Sequence, residues 1–309
     1  MAPHAPERGP ARGPAHRIDL GRADDAVGRL ISLALDEDVG PGDLTTEATV
    51  HAQARGRARI FAKEPLVLSG LSAAARVFRA LDPDCTLEAL AADGDSLDAG
   101  AGVLAVGGKM RALLTGERIA LNLVQRLSGI ATETHRWAAE LAGTRTRLLD
   151  TRKTTPGMRA LEKAAVRAGG GTNHRGALFD GILVKDNHCA AAGSVGEAVR
   201  RARAQAHPLV KVECEVSTPA QIDEALAAGA EMLLLDNLDD KELREAVARV
   251  AGRVPTECSG GVTRERLKRI AACGVDFVSA GALTHSARAV DLSLLIEAVS
   301  ENSSARDLR

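Results

Sequence analysis

Tyrosine is absent from this 309-residue sequence, and other aromatic residues are rare, with one tryptophan and four phenylalanines. Proteins that bind single-stranded nucleic acid stack bases on aromatic side chains, and this chain has few residues for such a surface. The net charge of −1 also excludes a global positive field that would attract nucleic acid or an anionic membrane. We therefore expect neither as a partner, and any anion-binding site must come from a local cluster of cations.

Cysteines are few, and none forms a CxxC pair. The five thiols are Cys85, Cys189, Cys214, Cys258 and Cys273. An odd number at irregular spacing argues against a disulfide framework and a zinc site, and favours a reducing cytoplasm.

No apolar run approaches the ~18 residues of a membrane span. The Pro-, Ala- and Arg-rich start lacks the apolar region of a signal peptide, and we predict a disordered extension over residues 1–22.

The remaining chain has two regions with different sequence patterns. Residues 23–120 mix short strand-like and helical stretches with Gly/Asp turns, which predicts a small α/β domain. Residues 115–143 form a long helical pattern, which we expect to break near Ser128-Gly129. From residue 147, six apolar runs alternate with helical stretches, as in βα units. We predict a TIM-like βα barrel over residues 121–289, with a doubly wound open sheet as the alternative, and we expect 290–309 to pack back on the first domain.

Polar residues end each of the six apolar runs. An isolated DTRKTTPG (150–157) is most simply a solvated turn, but in a βα barrel the carboxyl ends of the strands converge on one face, where the active site lies. The residues at these ends are Asp150 to Lys153, Lys185 to His188, Glu213 and Glu215, Asp236-Asn237, Glu257 with Ser259 to Gly261, and Ser279 with Gly281. Six such ends together favour a functional site over six unrelated turns.

The residue types at these ends indicate the ligand. The cations suit a substrate with several carboxylates or phosphates, because arginine forks onto a carboxylate while lysine acts as a point charge. Two carboxylates, Glu215 and Asp236, could hold ribose hydroxyls, Mg²⁺ or a developing positive charge. Gly260 and Gly281 end the last two runs, where barrels often bind phosphate. The cationic candidates are Arg152, Lys153, His174, Arg175 and Lys185. The set predicts a phosphorylated sugar that meets an anionic acceptor.

Six stretches in this order resemble the quinolinate phosphoribosyltransferase family, also called carboxylating nicotinate-nucleotide pyrophosphorylases. They are EDVGPGDLTTEATV, GERIALNLVQRLSGIAT, DTRKTTPGMRALEKAAVRAGGGTNHRGALFDGILVKDNH, LLLDN, ECSGGV and GVDFVSAGALTHS. The resemblance covers nearly all of residues 36–292. It implies a small N-terminal α/β domain and a C-terminal βα barrel with fewer than eight strands. The implied reaction transfers phosphoribosyl from phosphoribosyl pyrophosphate to the nitrogen of quinolinate, with Mg²⁺, and yields nicotinate mononucleotide, CO₂ and pyrophosphate.

The resemblance also implies roles for individual residues. Lys153 would lie near both substrates and, with Glu215 and Asp236, belong to the catalytic set; the two carboxylates are possible Mg²⁺ ligands. Arg118 would enter the site of the partner subunit in a homodimer, and a hexamer of such dimers is an open alternative. The implied quinolinate residues are Arg152, His174, Arg175 and Lys185, and the 5′-phosphate residues are Ser259, Gly260, Gly281 and His285.

Several alternatives stay open. A nicotinate phosphoribosyltransferase would act on one carboxylate, which the dense cations disfavour. Non-catalytic homologues linked to molybdenum transport tend to depart around Lys185, whereas this chain keeps LVKDNH intact. Among single residues, Glu213 could share the site or cap the barrel, and Asp150 could serve only to orient Arg152. Asn187-His188 could order a loop or touch substrate.

Overall fold

A computed structural model describes residues 18–22 and 25–298. Most of the predicted disordered extension lies outside the described residues, as does 299–309. The helices are α1 (Ala26–Asp38), α2 (Leu44–Thr49), α3 (Leu71–Leu81), α4 (Met110–Glu140), α5 (Arg159–Ala168), α6 (Asp186–Ala192), α7 (Val195–Gln205), α8 (Pro219–Ala227), α9 (Asp240–Val250), α10 (Leu267–Ala272) and α11 (Ala282–His285). The strands are β1 (Arg55–Ala62), β2 (Leu66–Val67), β3 (Thr86–Ala89), β4 (Ser96–Leu97), β5 (Gly102–Lys109), β6 (Arg147–Leu149), β7 (Ile182–Val184), β8 (Val212–Val216), β9 (Met232–Asp236), β10 (Thr256–Ser259), β11 (Phe277–Ser279) and β12 (Leu292–Ala298).

An antiparallel sheet in the order β12-β1-β5-β3 forms the small N-terminal domain. Exposed and buried residues alternate along most of β1, as expected for a strand with one face on a core. The fully buried Ile60 and Phe78 belong to the same core, so the sheet packs against the first helices. β12 comes from the far end of the described chain and pairs with β1 from Ala62↔Leu292 to Gly56↔Ala298.

α4 is one continuous helix, so the predicted break near Ser128-Gly129 is wrong. The Ser128 hydroxyl accepts a hydrogen bond from the Ser69 amide (3.0 Å) and donates one to the Ser69 carbonyl (3.1 Å). A Cβ on Gly129 would lie 2.1 Å from the Arg288 carbonyl oxygen. These small residues therefore allow neighbouring segments to approach α4 closely. The helix also crosses the boundary that we place between residues 120 and 121.

Six parallel strands form the second sheet in the order β6-β11-β10-β9-β8-β7. Strands β7 to β11 neighbour each other in chain order, and the last strand pairs with the first, as in a barrel. This order confirms a barrel-like sheet of fewer than eight strands and disagrees with a doubly wound sheet. The ring stays open between β6 and β7, where Thr172 forms a parallel bridge with Leu149.

No helix among the described residues combines the length and the apolar character that crossing a membrane requires.

Candidate active site

A cavity of about 640 Å³ lies at the carboxyl ends of the parallel strands. Of the twelve site residues predicted from the sequence, nine line it: Arg152, Lys153, His174, Arg175, Lys185, Glu215, Asp236, Ser259 and Gly260. The strand ends converge because parallel strands in a barrel all point the same way. The cavity thus joins a cationic group and a carboxylate group in one space.

The turn after β6 presents Arg152 and Lys153 to the cavity. Buried Glu162 holds this turn, because one carboxylate oxygen accepts from the Thr155 hydroxyl (2.7 Å) and the other from the Thr155 amide (3.2 Å). Glu162 is itself paired with Arg126 at 3.4 Å. Within the described part of the chain, the side chains of Arg152 and Lys153 have neither a hydrogen bond nor an ion pair, so both cations are available to a ligand.

Asp150 fixes the segment 172–175 that lies at the opening of the ring. Its carboxylate is fully buried and accepts from Lys163 Nζ (2.5 Å), Asn173 Nδ2 (2.6 Å) and the His174 amide (2.8 Å). Burial raises the pKa of Asp150, and the hydrogen bond and charge of Lys163 oppose the rise. Asp150 makes no hydrogen bond or ion pair with Arg152, so the expectation that it serves only to orient Arg152 is wrong.

Two further cations reach the cavity from either side of β7. Arg175 is held by a hydrogen bond from Nη1 to the Gly181 carbonyl (2.8 Å), and burial together with nearby Arg152 lowers its pKa. Lys185 donates from Nζ to Glu215 Oε2 at 2.5 Å. This ion pair joins the cationic side of the cavity to the carboxylate side.

The turns after β9 and β10 interlock. Asn237 adopts a left-handed conformation (φ 56°) and donates from Nδ2 to Asp236 Oδ2 at 2.7 Å. Its amide donates to the Ser259 carbonyl at 2.9 Å. Gly260 has φ +82°, and a Cβ there would lie 2.1 Å from Asn237 Oδ1. Glycine is thus required at this position because φ is positive and because Asn237 leaves no room for a Cβ.

Three predicted site residues do not line the cavity. Gly281 and His285 lie beside Lys153, because a Cβ on Gly281 would be 2.8 Å from Lys153 Cδ and 3.1 Å from the His285 ring. Arg118 is exposed on α4 and has no hydrogen-bond or ion-pair partner among the residues described. Asn187 and His188 are also outside the lining; His188 Nδ1 accepts from the Lys185 amide (2.9 Å) and so orders the start of α6.

The sequence placed Glu257 among the polar strand ends but gave it no role in the site, and the structure shows that it lines the cavity and is 1% exposed. His174 Nε2 lies 3.0 Å from Glu213 Oε2 and 3.5 Å from Glu257 Oε2. Burial raises the pKa of Glu257 to about 7, with the charge of Glu213 adding to the effect. Burial alone would lower the pKa of His174, but the hydrogen bond to Glu213 and the charge of Glu257 raise it. The available signal was spacing, since Glu257 lies two residues before Ser259 on β10 and therefore on the same face.

The atoms of His174, Glu213 and Glu257 lie within 4.8 Å of one another, a spacing compatible with a metal. However, the Arg175 amide donates to His174 Nδ1 at 2.7 Å, so the ring proton belongs on Nε2, the nitrogen that faces the carboxylates. A protonated nitrogen cannot ligate a metal. Glu215 and Asp236 fit Mg²⁺ better, because Mg²⁺ is commonly bound by one or two carboxylates together with substrate phosphates. Both also line an adjoining cavity of about 500 Å³.

Known proteins share this sequence and fold. The family described as quinolinate phosphoribosyl transferase matches with its N-terminal domain over residues 43–128 and its C-terminal domain over 130–295. A probable nicotinate-nucleotide pyrophosphorylase (carboxylating) of Bacillus subtilis is 43% identical over 258 residues, covering 84% of this chain and 89% of its own.

Two further comparisons agree. The nicotinate-nucleotide pyrophosphorylase (carboxylating) of Mycobacterium leprae is 44% identical over 279 residues, with 87% of this chain and 97% of that one covered. The crystal structure of NadC from Streptococcus pyogenes has a TM-score of 0.84 at 42% identity, over 89% of this chain and 97% of that chain. The resemblance drawn from the sequence is confirmed, and the chain belongs to the quinolinate phosphoribosyl transferase family.

Proposed function

We propose that this enzyme transfers phosphoribosyl from phosphoribosyl pyrophosphate to the nitrogen of quinolinate in de novo NAD biosynthesis, with release of CO₂ and pyrophosphate. One observation supports this most directly: a single cavity joins unpaired cations to a pair of carboxylates. The relatives named above are pyrophosphorylases of the carboxylating type. A dianionic acceptor matches the cations, and a ribose with developing positive charge matches the carboxylates.

The cations bind and orient the acceptor. Arg152 and Arg175 can each fork onto a carboxylate, while Lys185 adds a point charge. Holding two carboxylates with separate cations directs the pyridine nitrogen towards the sugar, so the attack gains from orientation. The nitrogen itself is the nucleophile, and no protein nucleophile is needed. Once the nitrogen is quaternised, its positive charge stabilises the electron pair that departing CO₂ leaves on the adjacent ring carbon, and that carbon then takes up a proton from water.

The carboxylates act on the sugar. Breaking the bond to pyrophosphate develops positive charge at the ribose C1 carbon, and Glu215 and Asp236 stabilise it electrostatically. Lys153 lines the cavity and lies beside Gly281, which together with His285, Ser259 and Gly260 forms the expected 5′-phosphate side. Mg²⁺, held by Glu215, Asp236 and the substrate phosphates, would neutralise charge on the leaving pyrophosphate.

The test is an assay with purified protein, phosphoribosyl pyrophosphate and Mg²⁺, with quinolinate or nicotinate as acceptor. We expect nicotinate mononucleotide and CO₂ from quinolinate, and far less turnover of nicotinate, which leaves part of the cation set unpaired. Chelation of the metal should abolish turnover. Preference for nicotinate would overturn the acceptor assignment, and no product from either would overturn the reaction.

The family resemblance implies a homodimer in which each subunit completes the site of the other with Arg118, and the exposure of Arg118 on α4 is compatible with this. Mixing inactive Arg118→Ala with inactive Lys185→Ala should restore about a quarter of wild-type activity, because half of the dimers are mixed and each has one intact site. Mixing Lys185→Ala with Glu215→Ala is the matched control, since both residues belong to one cavity and no site becomes intact. Absence of restoration in the first mixture would place Arg118 outside the site.

Two further properties are proposed for the protein. Sedimentation would distinguish a dimer from a hexamer of three dimers. The five free thiols favour a cytoplasmic location.

A further inference from the structure

We propose that Glu257 is held as a neutral carboxylic acid and donates its proton in a hydrogen bond to a carboxylate of the acceptor. This inference rests on the proposed function, because it adds a residue that recognises the same acceptor. It makes Glu257 a binding residue at the inner end of the cavity.

The His174 ring has no free donor for a substrate. Its Nδ1 accepts from the Arg175 amide at 2.7 Å, so the ring proton is on Nε2. That proton points to Glu213 Oε2 at 3.0 Å, and Glu257 Oε2 is more distant at 3.5 Å. In this geometry the His174 ring donates its proton to Glu213 and positions that carboxylate, so another group must donate to the acceptor.

Glu257 cannot easily be ionised in these surroundings. It is 1% exposed, and among the described residues neither of its oxygens has a partner in good hydrogen-bond geometry. A buried carboxylate without donors is far more costly than the neutral acid. The pKa of Glu257, raised to about 7 by burial, agrees with a proton on this group.

The groups around Glu257 come from each neighbouring element. They are Glu213 from β8, His174 from the segment 172–175, Lys185 at the end of β7, Ser279 from β11 and, on β9, the register partner Leu234. Glu213 adds a like charge that favours the protonated form, whereas Lys185 and the Ser279 hydroxyl lower the pKa. His174 lowers it only when its ring is charged, and the Arg175 amide that donates to Nδ1 disfavours that form. Burial has the largest effect, so the neutral form prevails below about pH 7.

A neutral acid suits an anionic acceptor. Neutral Glu257 donates a hydrogen bond to a carboxylate of the acceptor and adds no negative charge next to it, whereas ionised Glu257 would repel that carboxylate. Binding should therefore weaken as the pH rises through about 7. Repulsion between ionised Glu257 and an acceptor carboxylate at hydrogen-bonding distance corresponds to a loss of about tenfold or more in affinity.

The protonation state can be measured without any assay of activity. Infrared difference spectra of the full chain should show the carbonyl band of a neutral carboxylic acid, which disappears as the pH rises through about 7 and is absent in Glu257→Gln. Adding quinolinate at low pH should shift the band. Absence of the band would overturn the assignment. A band that quinolinate binding leaves unshifted would also overturn it, because the proton would then serve the unpartnered Glu213 Oε1.

Calorimetric titration with quinolinate tests the donor role. Glu257→Gln keeps a neutral donor, so its affinity should match wild type at low pH and lose the roughly tenfold decline at high pH. Glu257→Leu, neutral without a donor, should bind weakly at both. Parallel decline in wild type and Glu257→Gln would overturn the proposal. If neither binds quinolinate while the band persists, the proposed function fails, whereas a missing band with normal binding overturns the role of Glu257 alone.

Discussion

The two sides of the cavity are built differently. On the open side, between β6 and β7, the cations come from loops: Arg152 and Lys153 follow β6, and Arg175 belongs to the segment 172–175. On the closed side, the carboxylates belong to the strands themselves, with Glu215 on β8 and Asp236 on β9.

The difference lies in what fixes each side chain. Strand residues are placed by the sheet, because pairing with both neighbours sets their register. Loop residues have no such ladder, and here buried charges replace it: Asp150 with Lys163, and Glu162 with Arg126. The open side should therefore depend on single ion pairs, whereas the closed side should depend on backbone packing.

Replacing Asp150 with Asn tests the open side with the largest expected effect. Lys163 would remain buried (5% exposed) without its counter-ion. We expect a loss of about 3–5 kcal/mol in the free energy of unfolding, measured with urea. The matched control is Glu197→Gln on α7, which breaks exposed pairs with Arg200 and Arg201 and should cost less than about 1 kcal/mol. Equal losses in the two variants would show that the buried pair does not hold the open side.

Replacing Arg152 with Ala separates support from function on the same side. The side chain is exposed and unpaired, so stability should change by less than about 0.5 kcal/mol. The value of kcat/KM for quinolinate should fall about 100-fold, because a charged donor to the acceptor is lost. Lys241→Ala on α9, at an exposed position outside this cavity, is the control and should leave kcat/KM unchanged. A change within about twofold for Arg152→Ala would contradict its place in the acceptor pocket.

The same contrast explains what the sequence could predict. The six strands were evident because each is a short apolar run between helical patterns, and the strand-borne Glu215 and Asp236 followed from where those runs end. The residues that hold the loops were not evident. Glu162 and Lys163 lie in an ordinary charged helix, RALEKAAVRA, and no local pattern distinguishes them from exposed residues, although both are buried.

Tertiary contacts also override local signals elsewhere. Ser128-Gly129 has the composition of a helix break, but Ser69 and Arg288 pack against it and the helix continues. Predicting the burial of Glu257 would have required knowing which strands surround β10, because only the assembled sheet buries this residue. Local pattern thus predicts the elements and several site residues, whereas burial of charge depends on packing between distant segments.

Gly260→Ala tests the closed side, where the expected effect is smaller. Gly260 and Gly252 both have positive φ (82° and 71°). A Cβ on Gly260 would meet Asn237 Oδ1 at 2.1 Å, whereas a Cβ on Gly252 would meet no atom of the described residues within 4 Å. Gly252→Ala should therefore cost about 1 kcal/mol from backbone strain alone, whereas Gly260→Ala should cost about 2–3 kcal/mol because Asn237 must also move. Thermal unfolding of both variants measures the difference. Displacement of Asn237 would also disturb its hydrogen bond to Asp236, so kcat should fall in Gly260→Ala and not in Gly252→Ala. Equal stabilities would show that the β10 turn adapts freely, and the closed side would then be no more rigid than the loops opposite.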